Sequence, residues 1–298
     1  MFLQRLEQSY LVAILGLAVA LWPVATPAGH RAPAPANAHH TPVYRIVTLA
    51  PHITELLFEA GAGDLIVGTV NSSDYPPQAR ALPRVGDGLH LDIERLIALH
   101  PTDLVAWQAG GAVTAVTPLL EPFSVRIHYS APSSLQDIAN AVDTLGDNFG
   151  TTHVARTRAA ALRAQAVSIA QHYAHRPPVR VFLEIGSNPL YTLADDALTN
   201  DVLAHCGAVN IFADAPGVAP QINPESVLAR QPDAVIVSTG NDQKADDARR
   251  YWKSLGLAAA RKGHVIAVST DAFVRPGPRL FQATQTLCEQ IDQARSAG

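Results

Sequence analysis

Glu94-Arg95-Leu96-Ile97-Ala98-Leu99-His100-Pro101 is echoed in the second half of the chain by Glu225-Ser226-Val227-Leu228-Ala229-Arg230-Gln231-Pro232. A helix-capping residue stands two positions before each glutamate, Asp92 in one copy and Asn223 in the other. An apolar strand follows each, Leu104-Val105-Ala106-Trp107 and Ala234-Val235-Ile236-Val237. One supersecondary unit therefore occurs once in each half, and two copies this far apart indicate a duplicated lobe, not a solenoid. Each lobe presents a carboxylate at the equivalent place. Two matched acids suit a partner with two matched basic sockets, which is a docking arrangement and not a catalytic one. The same glutamates also complement the positive end of a helix dipole without any partner. The repeat alone leaves both roles open.

Outward from the first copy, Tyr44-Arg45-Ile46-Val47-Thr48-Leu49 reads as an apolar strand ending at Pro51, and Ile53 to Ala60 as a helix stopped by Gly61. Leu65-Ile66-Val67-Gly68 is a second strand, Asn71 to Pro77 a polar loop, Val113 to Leu120 a helix and Val125 to Tyr129 a strand. Short strands alternating with helices call for a parallel sheet covered on both faces. The middle differs. From Leu135 the pattern is a helix, a break expected at Gly146 to Gly150, and then a helix from Thr152 to His172 free of Gly and Pro. Some 21–24 helical residues extend about 32–36 Å, enough to cross the back of two lobes. After Pro177-Pro178 the alternation restarts with Val179 to Leu183, helices from Leu198 to Cys206 and Glu225 to Arg230, and the strand from Ala234. A helix through Trp252, the strand Val265 to Val268 and a last helix from Pro278 to Gln293 complete the chain. The expected fold is α/β: two Rossmann-like lobes with parallel sheets, joined by a single long backbone helix. The expected limits are 43–150 for the first lobe, 151–176 for the helix and 177–298 for the second lobe.

The chain opens with Arg5, an uncharged run from Gln8 to Ala25 and a Pro/Ala-rich stretch from Pro23 to Pro42. Charged start, apolar middle and small-residue exit describe a secretory signal peptide, with Ala36-Asn37-Ala38 fitting the cleavage site and Ala28 the alternative. Glu7 nearly offsets Arg5, so an uncleaved membrane anchor is the alternative. No cysteine lies here to take a lipid. Residues 1–38 are thus expected to be signal and tail, and the mature protein to be periplasmic. Roughly 260 residues remain, enough for two modest domains. The whole chain is 48% hydrophobic, which fills real cores, and a net charge of −4 gives no nucleic-acid footprint. In an exported protein the two cysteines, Cys206 and Cys288, read as one disulfide; two separate buried thiols are the alternative. Closing a loop of about 80 residues stabilises by roughly 4–5 kcal/mol on the chain-entropy model.

Arg45-Ile46-Val47-Thr48-Leu49-Ala50-Pro51, Thr54-Glu55-Leu56, Ser73-Asp74-Tyr75-Pro76-Pro77 and the Glu94 segment carry a closer likeness. So do Val181-Phe182-Leu183, Asn188-Pro189, Cys206-Gly207, Asn210-Ile211-Phe212 and Gln285-Thr286-Leu287-Cys288. From Val43 to Asp292 the chain resembles the periplasmic cobalamin-binding proteins, a helical-backbone (class III) family of ABC-importer substrate-binding proteins. The resemblance implies a corrinoid, cobalamin first, held between the lobes as transported cargo and not as a cofactor. It implies an ABC-transporter permease dimer with its ATPase subunits as partner, with Glu94 and Glu225 each meeting permease arginines, and a monomer when free. Carried over, the ligand contacts fall on Ser72, Trp107, Asp271, Ala272, Phe273, Val274 and Arg275. Ser72, Gly88, Ala219 and Ala272 stand where that family shows aromatics, which implies a wider cleft or a different large ring. Haem or a ferric siderophore is the alternative ligand.

His52 is expected at the cleft mouth, within reach of a metal-centred ligand, or else as a helix cap. His90 and Tyr75 have similar alternatives, Tyr75 through its phenolate or in turn packing. Nothing matches a zinc-protease helix, a dinucleotide fingerprint, a P-loop or a nucleophile elbow. An enzyme on a similar scaffold is therefore the remote reading.

Overall fold

The structure, a computed structural model, describes Val43–Thr239 and Asp242–Ser296. The signal-peptide reading lies outside these residues. The first lobe alternates β1 (Ile46–Thr48), α1 (Pro51–Glu59), β2 (Ile66–Gly68), α2 (Ile93–Ala98), β3 (Asp103–Ala106), α3 (Gly111–Leu120) and β4 (Arg126–Tyr129). Two helices follow, α4 (Leu135–Phe149) and α5 (Thr152–Tyr173). The second lobe begins with β5 (Val179–Glu184), the hairpin β6 (Gly186–Ser187) and β7 (Leu190–Tyr191), α6 (Ala197–His205) and β8 (Ala208–Asn210). It continues through α7 (Pro224–Arg230), β9 (Ala234–Thr239), α8 (Asp242–Ser254), α9 (Ala258–Arg261), β10 (Val265–Ser269), α10 (Thr270–Phe273) and α11 (Arg279–Ser296).

The duplication is visible in topology. One sheet runs β2-β1-β3-β4 and the other β10-β9-β5-β8, all neighbours parallel. Taken in chain order within its own sheet, the second is the first reversed: second, first, third, fourth. The repeated segment occupies the same place in both, as a short helix leading into the third strand. Asp92 accepts from the Arg95 N–H at 2.9 Å and Asn223 from the Ser226 N–H at 2.8 Å, so both expected N-caps form. Each helix then stops on a residue with positive φ just before a proline, His100 at 47° and Gln231 at 46°.

Packing repeats as well. Leu96 and Val227, two positions after the glutamates, are fully buried, each in an apolar cluster on one face of its own sheet. Two residues along a helix is about half a turn, so burying Leu96 and Val227 turns Glu94 and Glu225 outward. A third cluster is shared: Ile46 and Leu57 of the first lobe, Val142 of α4, Ile169 of α5 and Val181 and Ile291 of the second lobe belong to one continuous core.

The helix α5 has 22 residues, about 33 Å. The break expected at Gly146 to Gly150 falls at its far end: α4 runs through Gly146 to Phe149 and ends at Gly150, whose φ is 77°. Gly146 has another use. A methyl group at that position would stand 2.1 Å from the Ala155 Cβ, so glycine is what lets α4 and α5 pack closely. Trp252, read as a helix residue, is fully buried, and its indole N–H donates to Glu184 Oε2 at 2.5 Å.

Cys206 and Cys288 are disulfide-bonded, tying the end of α6 to α11 across 82 residues. The Cys288→Ser variant is expected to unfold at lower denaturant, losing about 2–4 kcal/mol, with ligand affinity unchanged because the bond lies in the core. Equal midpoints for parent and variant would mean the bond is idle.

Candidate functional site

In open parallel sheets, ligands lie outside the carboxyl ends of the strands. In the first lobe this end is built by β1, β2 and β3. After β1, Pro51 sits in the first turn of α1, where its missing N–H costs nothing. Four buried hydroxyls fasten the strand ends: Thr48, Thr54, Thr69 and Ser73 lie 2.7 to 3.1 Å apart. Arg84 adds donors to the Val70 and Ser73 carbonyls at 2.9 and 2.8 Å. This cluster was not foreseen, and it sets the position of the loop that carries Ser72, Asp74 and Tyr75. Ser72 and Tyr75 are exposed.

Trp107 follows β3 and stands 47% exposed, a large indole face left bare at the strand ends. Against it lies His52, ring centroids 5.4 Å apart and planes at 84°. His52 is not at the mouth, as expected, but 4% exposed beneath it. Its Nε2 is buried without a hydrogen-bond partner. Burial first, then the charge of Arg275, lowers its pKa from 6.5 to about 4. The folded protein therefore holds this imidazole neutral at pH 7, while the unfolded chain protonates it near 6.5. Stability from this residue is complete above that range and falls as pH drops, by about 3 kcal/mol by pH 4. The His52→Gln variant is expected to lack this part of the pH dependence in denaturant titrations between pH 7 and 4. Parallel curves for parent and variant would contradict it.

The second lobe supplies the segment after β10. Asp271 and Val274 are exposed, Ala272 half-buried and Phe273 buried. Arg275 pairs with Asp271 at 2.7 Å and reaches across to Asp74 of the first lobe at 3.4 Å. Beside it, Arg279 makes a two-pronged ion pair with Glu55 of α1, at 2.6 and 2.9 Å, and its guanidinium lies 4.6 Å from the centre of the Tyr75 ring. Glu55 is 3% exposed. A cavity of about 440 Å³ flanks this bridge, lined by Tyr75, Ala272, Phe273, Arg279 and Gln282 among others. Trp107 and His52 do not line it.

Trp107 packs on His52, the charge of Arg275 acts on His52, and Arg275 pairs with Asp74, so Trp107 and Arg275 are linked through named contacts, while Ser72 is exposed nearby in sequence to Asp74. The ion pairs of Glu55 with Arg279 and of Asp74 with Arg275, which brace this region, are features that sequence reasoning missed. A glutamate inside Ile53-Thr54-Glu55-Leu56-Leu57 was the available signal, because a buried acid demands a partner. His90 is exposed and, among the described residues, pairs with Asp87. Glu94 and Glu225 are exposed, and neither makes a hydrogen bond or ion pair among the described residues.

Residues 46–272 match the model of the periplasmic binding protein family. The chain belongs to that family. It is a family of binding proteins and not of enzymes, and membership implies a small-molecule ligand, a permease as partner and a periplasmic setting. Among similar periplasmic binding proteins, the vitamin B12-binding protein of Photorhabdus laumondii is 34% identical over 248 residues, 83% of this chain and 88% of that one. The crystal structure of the periplasmic vitamin B12 binding protein BtuF of Vibrio cholerae superposes with a TM-score of 0.75 at 32% identity, covering 84% of this chain and 97% of the other. The apo periplasmic heme-binding protein RhuT of Roseiflexus sp. RS-1 superposes with a TM-score of 0.73 at 25% identity, covering 85% and 99%.

Proposed function

We propose that this protein captures a corrinoid, cobalamin first, between its lobes and delivers it to the permease of an ABC importer with its ATPase subunits. The observation that carries the reading is the 34% identity to a vitamin B12-binding protein across most of both chains. The geometry supports it: a half-exposed Trp107 offers a flat apolar face, and the exposed Ser72 and Asp271 and the half-buried Arg275 offer polar groups to a ring edged with amides. Haem is the second reading, favoured by the fold match to a heme-binding protein at 25% identity, below the 32% of the B12-binding structure. Residues 43–150 and 177–298 serve as the lobes and 151–176 as the connector. The protein works as a monomer, exported by a cleaved signal peptide, and Glu94 and Glu225 are the contacts to the permease.

Trp107→Ala tests the binding face. Loss of an anchoring indole is expected to weaken cyanocobalamin binding by about 2 kcal/mol, roughly thirtyfold, as central aromatic anchors do. Unchanged affinity in this variant and in Asp271 and Arg275 variants would place the cleft elsewhere.

A further inference from the structure

The two helices that carry Glu94 and Glu225 have six and seven residues, too short to hold a direction by themselves. Something else must aim them. Each N-terminus is capped, by Asp92 and by Asn223, as described above. At the other end of each helix stands an arginine from the first strand region of the same lobe. Arg45, just before β1, donates through Nε and Nη2 to the Leu99 carbonyl at 3.0 and 2.6 Å, and through Nε to the His100 carbonyl at 3.0 Å. Arg180, in β5, donates through Nη2 to the Arg230 carbonyl at 2.9 Å. The Leu99 and Arg230 carbonyls are among those that a helix end leaves without partners, at the negative end of its dipole.

The backbone of each arginine is fastened to the turn that follows the helix. The Arg45 N–H donates to Thr102 Oγ1 at 2.9 Å, and its carbonyl accepts from the Thr102 N–H at 2.9 Å. The Arg180 N–H donates to Asp233 Oδ2 at 2.8 Å, and its carbonyl accepts from the Asp233 N–H at 2.7 Å. One residue per lobe therefore ties helix end, turn and first strand together, and the device is present in both copies. We infer that Arg45 and Arg180 are positioning residues for permease docking, setting the direction in which Glu94 and Glu225 leave the surface.

The two copies differ in strength. Arg45 is half-buried and makes three contacts to the helix end, whereas Arg180 is exposed and makes one. The second helix has another hold, because Arg230 at its own end pairs with Asp214 at 2.7 Å and lies 4.6 Å from the centre of the Phe212 ring. Arg45 therefore carries more of the aiming in its lobe than Arg180 does in the other.

This inference rests on the docking role of the glutamates, and its test separates the two. Unloaded protein is titrated onto the importer in lipid nanodiscs, using the parent, Arg45→Gln, Glu94→Ala and the double variant. Arg45→Gln is expected to weaken importer affinity about tenfold, as loss of charge-assisted hydrogen bonds does, and Arg180→Gln only about threefold. Affinity for cyanocobalamin in solution stays that of the parent. The deciding readout is the double variant: if Arg45 acts through Glu94, Arg45→Gln costs no further affinity once Glu94 is alanine. An equal loss in both backgrounds, or no loss from Arg45→Gln while Glu94→Ala weakens docking, overturns the inference. If Glu94→Ala itself costs nothing, the docking role fails and the inference falls with it. Should Arg45→Gln not fold, Thr102→Val, which removes the acceptor for the Arg45 N–H, takes its place in the same cycle: a loss that vanishes in the Glu94→Ala background supports the inference, and a loss that persists there overturns it.

Discussion

Glu94→Arg combined with Glu225→Arg is expected to abolish transport while the protein still folds, is exported and binds its ligand. Both carboxylates are exposed and without an ion pair or hydrogen bond among the described residues, so replacing them costs the folded protein little beyond a charge near Tyr251 and the complement to each helix dipole. On the proposed docking role, their value lies in the partner. If each inserts between permease arginines, removing one leaves positive charge buried and unpaired, at about 2–5 kcal/mol per site. Reversal adds repulsion on both sides of a two-lobed contact. Uptake of labelled cyanocobalamin by cells carrying the double variant is the measurement, with solution affinity as the control. Parental uptake would make the glutamates ordinary dipole-capping residues and the repeat a record of ancestry alone.

Arg279→Ala is expected to be among the most destabilising single changes in the molecule. It strands Glu55, only 3% exposed, without a counter-charge at the seam between the lobes. Breaking one side of a buried pair costs about 3–5 kcal/mol, mostly as the penalty on the charge left behind. For a chain of this size that is a fall in melting temperature of roughly 10 °C. Replacing both partners at once, Glu55→Leu with Arg279→Met, is expected to recover most of the loss, since no charge then remains buried. A single variant within about 1 kcal/mol of the parent would mean water reaches Glu55. The same bridge, the Arg275–Asp74 contact and the shared core give the lobes three reasons beyond the helix to keep their angle. X-ray scattering radii of free and loaded parent are therefore expected to agree, and a contraction of several ångströms would contradict this.

Much of the fold could be read from residue order because its signals are local. The capping residues Asp92 and Asn223, the apolar strands after them and the long Gly-free helix each announce themselves within a dozen or so residues, and each forms as expected. Gly146 misled for a local reason too. Glycine inside a helix reads as a break, and only the approach of Ala155, brought by the next helix, shows why it is needed there. The strand β8 was missed because Ala208-Val209-Asn210 is too short to show alternation. The site divides in the same way. Trp107 and the 271–275 segment were proposed from the resemblance. The four-hydroxyl cluster, the Glu55–Arg279 bridge and the burial of His52 were not, since each joins residues from elements far apart in the chain and has no periodicity to betray it.

The most direct test of corrinoid capture is a calorimetric titration of the purified protein with cyanocobalamin, dicyanocobinamide, haem and a ferric siderophore in one buffer. Saturable one-to-one binding of cyanocobalamin, tighter than haem and the siderophore, and lost in Trp107→Ala, is the expected result. Haem binding tightly while neither corrinoid gives heat would contradict it.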